Sequence, residues 1–407
     1  TQNSAEHATM QIPIAMSLAK GSIGAPSILI FNKFIKKSIE KIEEAKNEAS
    51  KQYYPFRNGT KGFEHLEEDI EYFAELGLDL YRFSISWSRL FPKGIEEEPS
   101  QEGVAYYDKV FQLLAEKKIK IFLTLNHYAM PIYLVEQYGG WKGRECIDHF
   151  LHFAAFVFER WGHLVEYWLP FNEINAGYFS PYNGVGLLKG ENGYQLSDVF
   201  QALHQFVASA KTIQLARKMN LPGRFGSMIA CFCYYPLTSK PEDNLKLVFE
   251  EQMNQWYCMD ILSKGEYPYY AETFFKNKNI VLHITEEDRK LLKENTCDFV
   301  SISFYTSSVI TVDEADKTAG NLVVSTKNPY LKASEWGWQI DPVGLRTSLH
   351  RVYERYGKPV IVSENGLGAR DVLTANHQIH DDYRIEYMKS YYEQAQLALE
   401  DGVPLEA

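Results

Sequence analysis

The sequence predicts an α/β protein built as a (β/α)₈ barrel, and three observations carry that prediction. Runs with helical spacing alternate with short apolar runs along most of the 407 residues. The short runs are apolar nearly end to end, as in parallel strands covered on both faces. Polar clusters follow the C-terminal ends of those runs: Ser86-Trp87, Asn126-His127, Asn172-Glu173, Tyr305 and Glu364-Asn365. Alternation alone fits a doubly wound sheet as well as a barrel. The clusters favour the barrel, which gathers its chemistry at that end of its strands.

In chain order, Glu64 to Leu76 is helical, with apolar residues at Leu66, Ile70, Phe73 and Ala74, and Gly77 stops it. Leu80 to Ile85 follows as a strand. Gly103 to Glu116 is a helix before the strand Ile119 to Leu125, and Cys146 to Trp161 a helix before the strand Val165 to Phe171. Phe200 to Met219 reads as one helix, then Phe225 to Ala230 as a strand. Helical pieces at Ala271 to Phe275 and Glu286 to Glu294 precede the strand Phe299 to Phe304. The helix Val343 to Tyr356, the strand Pro359 to Ser363 and the helix Tyr383 to Leu399 complete the pattern. Six strong strands result, two short of a closed barrel. Residues 1–52 read as an atypical N-terminal segment whose convincing element is a surface helix, Phe31 to Lys51, with Phe31, Phe34, Ile35, Ile39 and Ile42 on one stripe. Residues 53–407 read as the barrel domain.

Composition narrows the function. The net charge is −11, which argues against a nucleic-acid partner, since such partners need basic footprints. No run of 18 apolar residues occurs, so no membrane span is expected. The odd set of five cysteines, Cys146, Cys231, Cys233, Cys258 and Cys297, forms neither a disulfide framework nor a metal clip. Cys231 and Cys233 read as a buried thiol pair on one strand face, and a reducing, cytoplasmic location is expected. Asn58-Gly59-Thr60 fits a glycosylation sequon and is read as a turn. Aromatics make up 14% of the chain: a large core accounts for them, or some line a cleft against the C–H faces of sugars. Oligomeric state is not legible.

Two carboxylates stand out, each where an apolar strand gives way to polar residues. Glu173 follows Trp168-Leu169-Pro170-Phe171-Asn172, and Glu364 follows Val360-Ile361-Val362-Ser363. Glycosidic bond cleavage uses such a pair, one protonated to release the leaving oxygen and one ionised. When the ionised group is the nucleophile, the gap between them is about 5–5.5 Å. Arg82 lies inside an apolar strand and needs a carboxylate partner. It is a structural ion pair, or it keeps Glu364 ionised. Tyr305 is placed to donate to the same carboxylate, and His127 to bond a sugar hydroxyl. Such chemistry needs no metal or organic cofactor.

These residues fall in segments that together resemble glycoside hydrolase family 1, and within it the bacterial 6-phospho-β-glucosidases. The segments are Tyr81-Arg82-Phe83-Ser84-Ile85-Ser86-Trp87-Ser88-Arg89-Leu90-Phe91-Pro92, Leu125-Asn126-His127-Tyr128 with Pro131, Phe171-Asn172-Glu173-Ile174-Asn175, and Ser363-Glu364-Asn365-Gly366-Leu367-Gly368. The resemblance implies a (β/α)₈ barrel and a retaining double displacement, with Glu173 as acid/base and Glu364 as nucleophile. It implies further that Asn172 holds the sugar 2-hydroxyl, His127 contacts the glycone, Arg82 and Tyr305 support the nucleophile, and Trp338 lies on the aglycone side. Ser303, the run Ser334 to Pro342 and Pro241-Glu242-Asp243-Asn244 resemble the phospho-sugar branch. The expected partner is therefore a small phosphorylated β-glucoside. The alternatives are a plain β-glucosidase, a 6-phospho-β-galactosidase, or a non-catalytic sugar-binding paralogue.

The chain also departs from the family. The first-strand glutamine motif is not found in residues 1–52, and the eighth strand expected after Gly402 is not seen, nor the phosphate-binding loop that goes with it. The expectation is a barrel incomplete at both ends.

Overall fold

The structure, a computed structural model, describes residues 39–47, 49–54, 61–190, 193–319 and 324–407. Six strands form one sheet: β1 (Leu80–Ser84), β2 (Lys120–Asn126), β3 (Val165–Phe171), β4 (Arg224–Ala230), β6 (Phe299–Ser303) and β10 (Val360–Glu364). Their order is β1-β2-β3-β4-β6-β10, and every pairing is parallel. These are the six strands expected from the apolar runs.

The sheet curls, and one side chain proves it. β1 and β10 are opposite edges of the order, so in a flat sheet they would lie about 24 Å apart. Yet Arg82 of β1 donates to the Oε1 of Glu364 on β10 at 2.7 Å. The strands therefore surround an interior. An apolar plug fills its lower part, built from the inward-facing Phe122, Leu169, Met228, Phe299 and Ile361. Above the plug the inward positions turn polar: Arg82, Thr124, Ser301 and Ser363, joined by Arg82 to Thr124 (3.0 Å) and Ser301 to Ser363 (2.8 Å). The plug is buried and apolar, so the charges above it depend on one another for compensation.

Helices cover the outside of the sheet. They include Leu66–Glu75, Gln101–Glu116, Glu145–Trp161, Glu286–Glu294, Pro342–Tyr356 and Asp382–Glu400, each within a few residues of its expected span. Their starts are chemically marked. Ser100 accepts from the Gly103 amide, and Thr285 and Asp288 form a reciprocal capping box. Aromatic packing fills the layer between helices and sheet. Trp168 of β3 stacks on Phe225 of β4 at 5.7 Å, and Trp87 stacks on Phe153 of the helix Glu145–Trp161 at 5.6 Å.

Several expectations are corrected. The span Phe200 to Met219 is two helices, Leu196–Ala202 and Gln205–Lys218, broken where Gln201 and His204 turn to bond each other. Cys231 and Cys233 are both buried but straddle a break, Cys233 opening a new strand, β5 (Cys233–Pro236). The N-terminal helix ends at Lys46 rather than Lys51, and within its described part, Ile39–Lys46, Ile42 of the expected apolar stripe is buried. Phe31, Phe34 and Ile35 lie outside the described residues, as do Asn58-Gly59-Thr60. At the other end a ladder does begin where none was expected. Val360 and Val362 donate to the carbonyls of Pro404 (2.9 Å) and Ala407 (2.8 Å), and the Glu406 amide returns a bond to Val360 (3.0 Å). The Val360–Leu405 bridge is parallel.

A second sheet sits above the first, made of β5, β7 (Ser307–Ile310), β9 (Val324–Thr326) and β8 (Lys317–Ala319), in that order. It grows from the C-terminal ends of β4 and β6 and so stands over the barrel mouth.

Candidate active site

The two glutamates leave the C-terminal ends of different barrel strands, β3 and β10, and two backbone irregularities aim them. Side chains on a strand alternate in direction. At the end of β10 the register slips, with Val362 opposite Ile302 and Glu364 opposite Ser303. Ser363 is the extra residue. The bulge lets both Ser363 and Glu364 point inward, where regular pleating would send one of them out. At the end of β3, Glu173 adopts φ +33°, a backbone region that non-glycine residues rarely enter. There Asn172 and Glu173 both face the interior.

Arg82 is the hub. Its Nη1 donates to Glu364 Oε1 at 2.7 Å and to the Ser363 carbonyl at 3.4 Å. Its Nη2 donates to Asn172 Oδ1 at 2.6 Å and to Thr124 Oγ1 at 3.0 Å. The guanidinium thus spans the strands that carry the two glutamates. Tyr305, just past β6, donates its hydroxyl to Glu364 Oε2 at 2.8 Å. Glu364 therefore has a donor on each oxygen.

The two carboxyls settle in opposite states. Burial raises the pKa of Glu364, but the charge of Arg82, then that of His127, and the bonds from Arg82 and Tyr305 outweigh it. Its carboxyl lies below the ordinary range. Glu173 is 1% exposed. Burial and then the charge of Glu364 push its carboxyl up to about 7, against partial relief from Ser303, Tyr128 and Arg82. At neutral pH the pair thus offers one carboxylate and one group poised between acid and base, the division that acid–base chemistry needs.

The remaining predicted residues gather around the pair. His127 packs edge-on against Tyr128 at 5.1 Å between ring centres. Trp338 lies edge-on to Tyr305 at 5.8 Å and to Trp336 at 5.7 Å. The second sheet holds this tryptophan loop in place, through Thr318 donating to the Gly337 carbonyl at 2.6 Å. Asn172 accepts from Arg82 with its oxygen, and its buried Nδ2 lies near the Tyr128 hydroxyl without a well-formed hydrogen bond to it.

Three contributors were not singled out from sequence for these contacts. Tyr128 and Ser303 each donate to one oxygen of Glu173. Thr124 accepts from Arg82. A polar residue inside a buried apolar strand was the readable signal for Thr124. Ser303 was legible only as a departure from the plain family pattern. Tyr128 gave no signal, because its reach depends on a left-handed backbone, φ +64°.

Comparison with known proteins bears on this arrangement. The profile of Glycosyl hydrolase family 1 matches residues 36–407. The chain is 43% identical over 353 residues to an aryl-phospho-beta-D-glucosidase of Bacillus subtilis, spanning 86% of this chain and 75% of that one. It is 44% identical over 345 residues to a 6-phospho-beta-glucosidase of Dickeya chrysanthemi, spanning 84% of this chain and 73% of that one. Among solved structures, a family 1 β-glucosidase of Thermotoga maritima superposes with a TM-score of 0.73 at 28% identity, covering 85% of this chain and 76% of that one. The curled parallel sheet, the inward glutamates at two strand ends and this similarity along most of the chain agree, and the chain belongs to glycosyl hydrolase family 1, with that family's (β/α)₈ barrel fold and its glycoside hydrolase character.

Proposed function

We propose that the chain hydrolyses 6-phospho-β-glucosides with retention of configuration. The observation that carries the proposal is the opposed environment of two carboxyls on one barrel face: Glu364 held ionised by Arg82 and Tyr305, Glu173 buried and proton-retaining. Glu364 attacks the anomeric carbon as the glycosidic C–O bond breaks, and Glu173 gives its proton to the departing oxygen. The products of this half are a glycosyl–Glu364 ester and the free aglycone. In the second half Glu173 takes a proton from water, whose oxygen attacks the anomeric carbon and frees Glu364. Asn172 Nδ2 supplies a donor for the sugar 2-hydroxyl, His127 a glycone contact and Trp338 a wall for the aglycone.

The phosphorylated substrate is supported by the names of relatives at 40–44% identity, which are phospho-β-glucosidases, and by the branch-like Ser303 and Ser334 to Pro342 runs. All five cysteines are buried free thiols, which suits a reducing compartment such as the cytoplasm. The test is a steady-state assay with p-nitrophenyl 6-phospho-β-glucoside beside its unphosphorylated twin. Turnover of the phosphorylated compound, lost in Glu364→Gln, is expected. Turnover of the plain glucoside alone would move the chain to the β-glucosidases. Turnover of neither, in a protein that melts cooperatively, would favour a sugar-binding role.

A further inference from the structure

We propose that Tyr128 and Ser303 are positioning residues that grip Glu173 between them, one hydroxyl on each carboxylate oxygen, and so set how readily it gives up its proton. The inference deepens the reading of Glu173 as acid/base, but its geometry stands apart from any substrate.

The grip is built from two strand ends. Tyr128 follows β2 and donates to Oε2, and Ser303 ends β6 and donates to Oε1. Both ends of the Tyr128–Glu173 bond sit on strained backbone, φ +64° and φ +33°. Left-handed φ is uncommon for side chains of this size and is unfavourable for them. Two such residues in one hydrogen bond indicate that surrounding packing fixes the contact. Ser303 is 1% exposed, so its hydroxyl is shielded from bulk solvent. Burial and the neighbouring charge of Glu173 push the Tyr128 phenol well above its ordinary range. It therefore stays protonated throughout the working range and can donate.

The consequence is directional. Two donors favour the carboxylate over the acid. They oppose burial and the charge of Glu364, which favour the acid. Glu173 must leave both states accessible, since the proposed cycle uses it once as acid and once as base. For the acid, one hydroxyl turns and accepts the carboxyl proton; a serine or tyrosine oxygen can do so. The other charged or titratable groups acting here are Arg82 from β1, His127 after β2, Tyr305 after β6 and Glu364 from β10, and the grip leaves them in place.

The experiment is a direct titration of Glu173 by ¹³C NMR of the protein labelled at glutamate side-chain carboxyls. The resonance is assigned by its loss in Glu173→Gln. Ser303→Ala and Tyr128→Phe are each expected to move the midpoint upward by about one pH unit, the worth of one hydrogen bond to a buried charge. In an active preparation the alkaline limb of kcat/KM would move up by the same amount. Midpoints unchanged in both variants, or moved down, would overturn the grip. The titration needs no turnover, so an inactive protein that still shows the shifts would overturn the proposed activity and leave the grip standing. Two variants from different strands guard against one of them failing to fold.

Discussion

Glu173 and Glu364 are the same side chain in two environments, and the difference lies in the neighbours each strand end supplies. Glu364 accepts from a guanidinium at 2.7 Å, while the hydrogen bonds that Glu173 accepts come from hydroxyls. A cation offsets the burial of a charge and a neutral donor does so incompletely. On the proposed assignment, kcat/KM for a substrate with a poor leaving group falls as pH rises through about 7, where Glu173 loses its proton. It falls again on the acid side only below the ordinary carboxylate range, where Glu364 gains one. A pH–rate profile with a good buffer series checks both limbs; activity that rises through pH 7 and holds above it would reverse the roles. Much of this pair was readable from sequence, because an apolar run followed at once by Asn-Glu or Glu-Asn marks a strand end with a carboxylate on it. Its environment was readable only in part. Arg82 announced itself by being charged inside a strand, whereas the reach of Tyr128 depends on backbone angles that no residue pattern encodes.

At the scale of elements, the barrel strands were legible and the second sheet was not, for one physical reason. A barrel strand is covered on both faces, so its five to seven residues read as a mostly apolar run. β5, β7, β8 and β9 are three or four residues long, too short to show a period, and β5 pairs with β7 across some seventy intervening residues. The helix Pro241–Glu251 and its continuation through a π turn at Gln252–Trp256 were missed because its buried face carries polar groups such as Asp243, Glu250 and Asn254. One barrel strand also contains a position where a missing side chain matters. Gly226 of β4 stands opposite Phe299 of β6, and a Cβ there would meet the Phe299 ring at 2.2 Å. Phe299 belongs to the apolar plug and cannot move without disturbing Phe122, 6.0 Å away between ring centres. Gly226→Ala is therefore expected to lower stability by about 1–3 kcal/mol, the usual range for overpacking. Urea unfolding monitored by tryptophan fluorescence measures it, and a midpoint equal to that of the parent would mean the plug has room to spare.

For the whole molecule, the site is a local cost carried by the rest of the fold. Glu173 has a folded pKa of about 7 against an ordinary 4.5. Between those values the folded protein binds a proton that the unfolded chain has released. Stability from this group therefore falls as pH rises from 4.5 to 7 and levels off above. Glu364 acts the other way: its folded pKa is depressed, so its contribution is present above the ordinary value and lost only in more acid solution. From pH 5 to 8 the slope from this pair thus belongs to Glu173 alone. Glu173→Gln replaces it with a permanently neutral group of the same shape, whose amide is accommodated when one of the Tyr128 and Ser303 hydroxyls turns to accept. The variant is expected to match the parent near pH 4.5 and to exceed it by on the order of 2–3 kcal/mol at pH 8. Denaturant melts at the two pH values read the difference directly. A gain that is the same at both pH values would mean that Glu173 is not held protonated by its surroundings, and the acid/base assignment would lose its electrostatic basis.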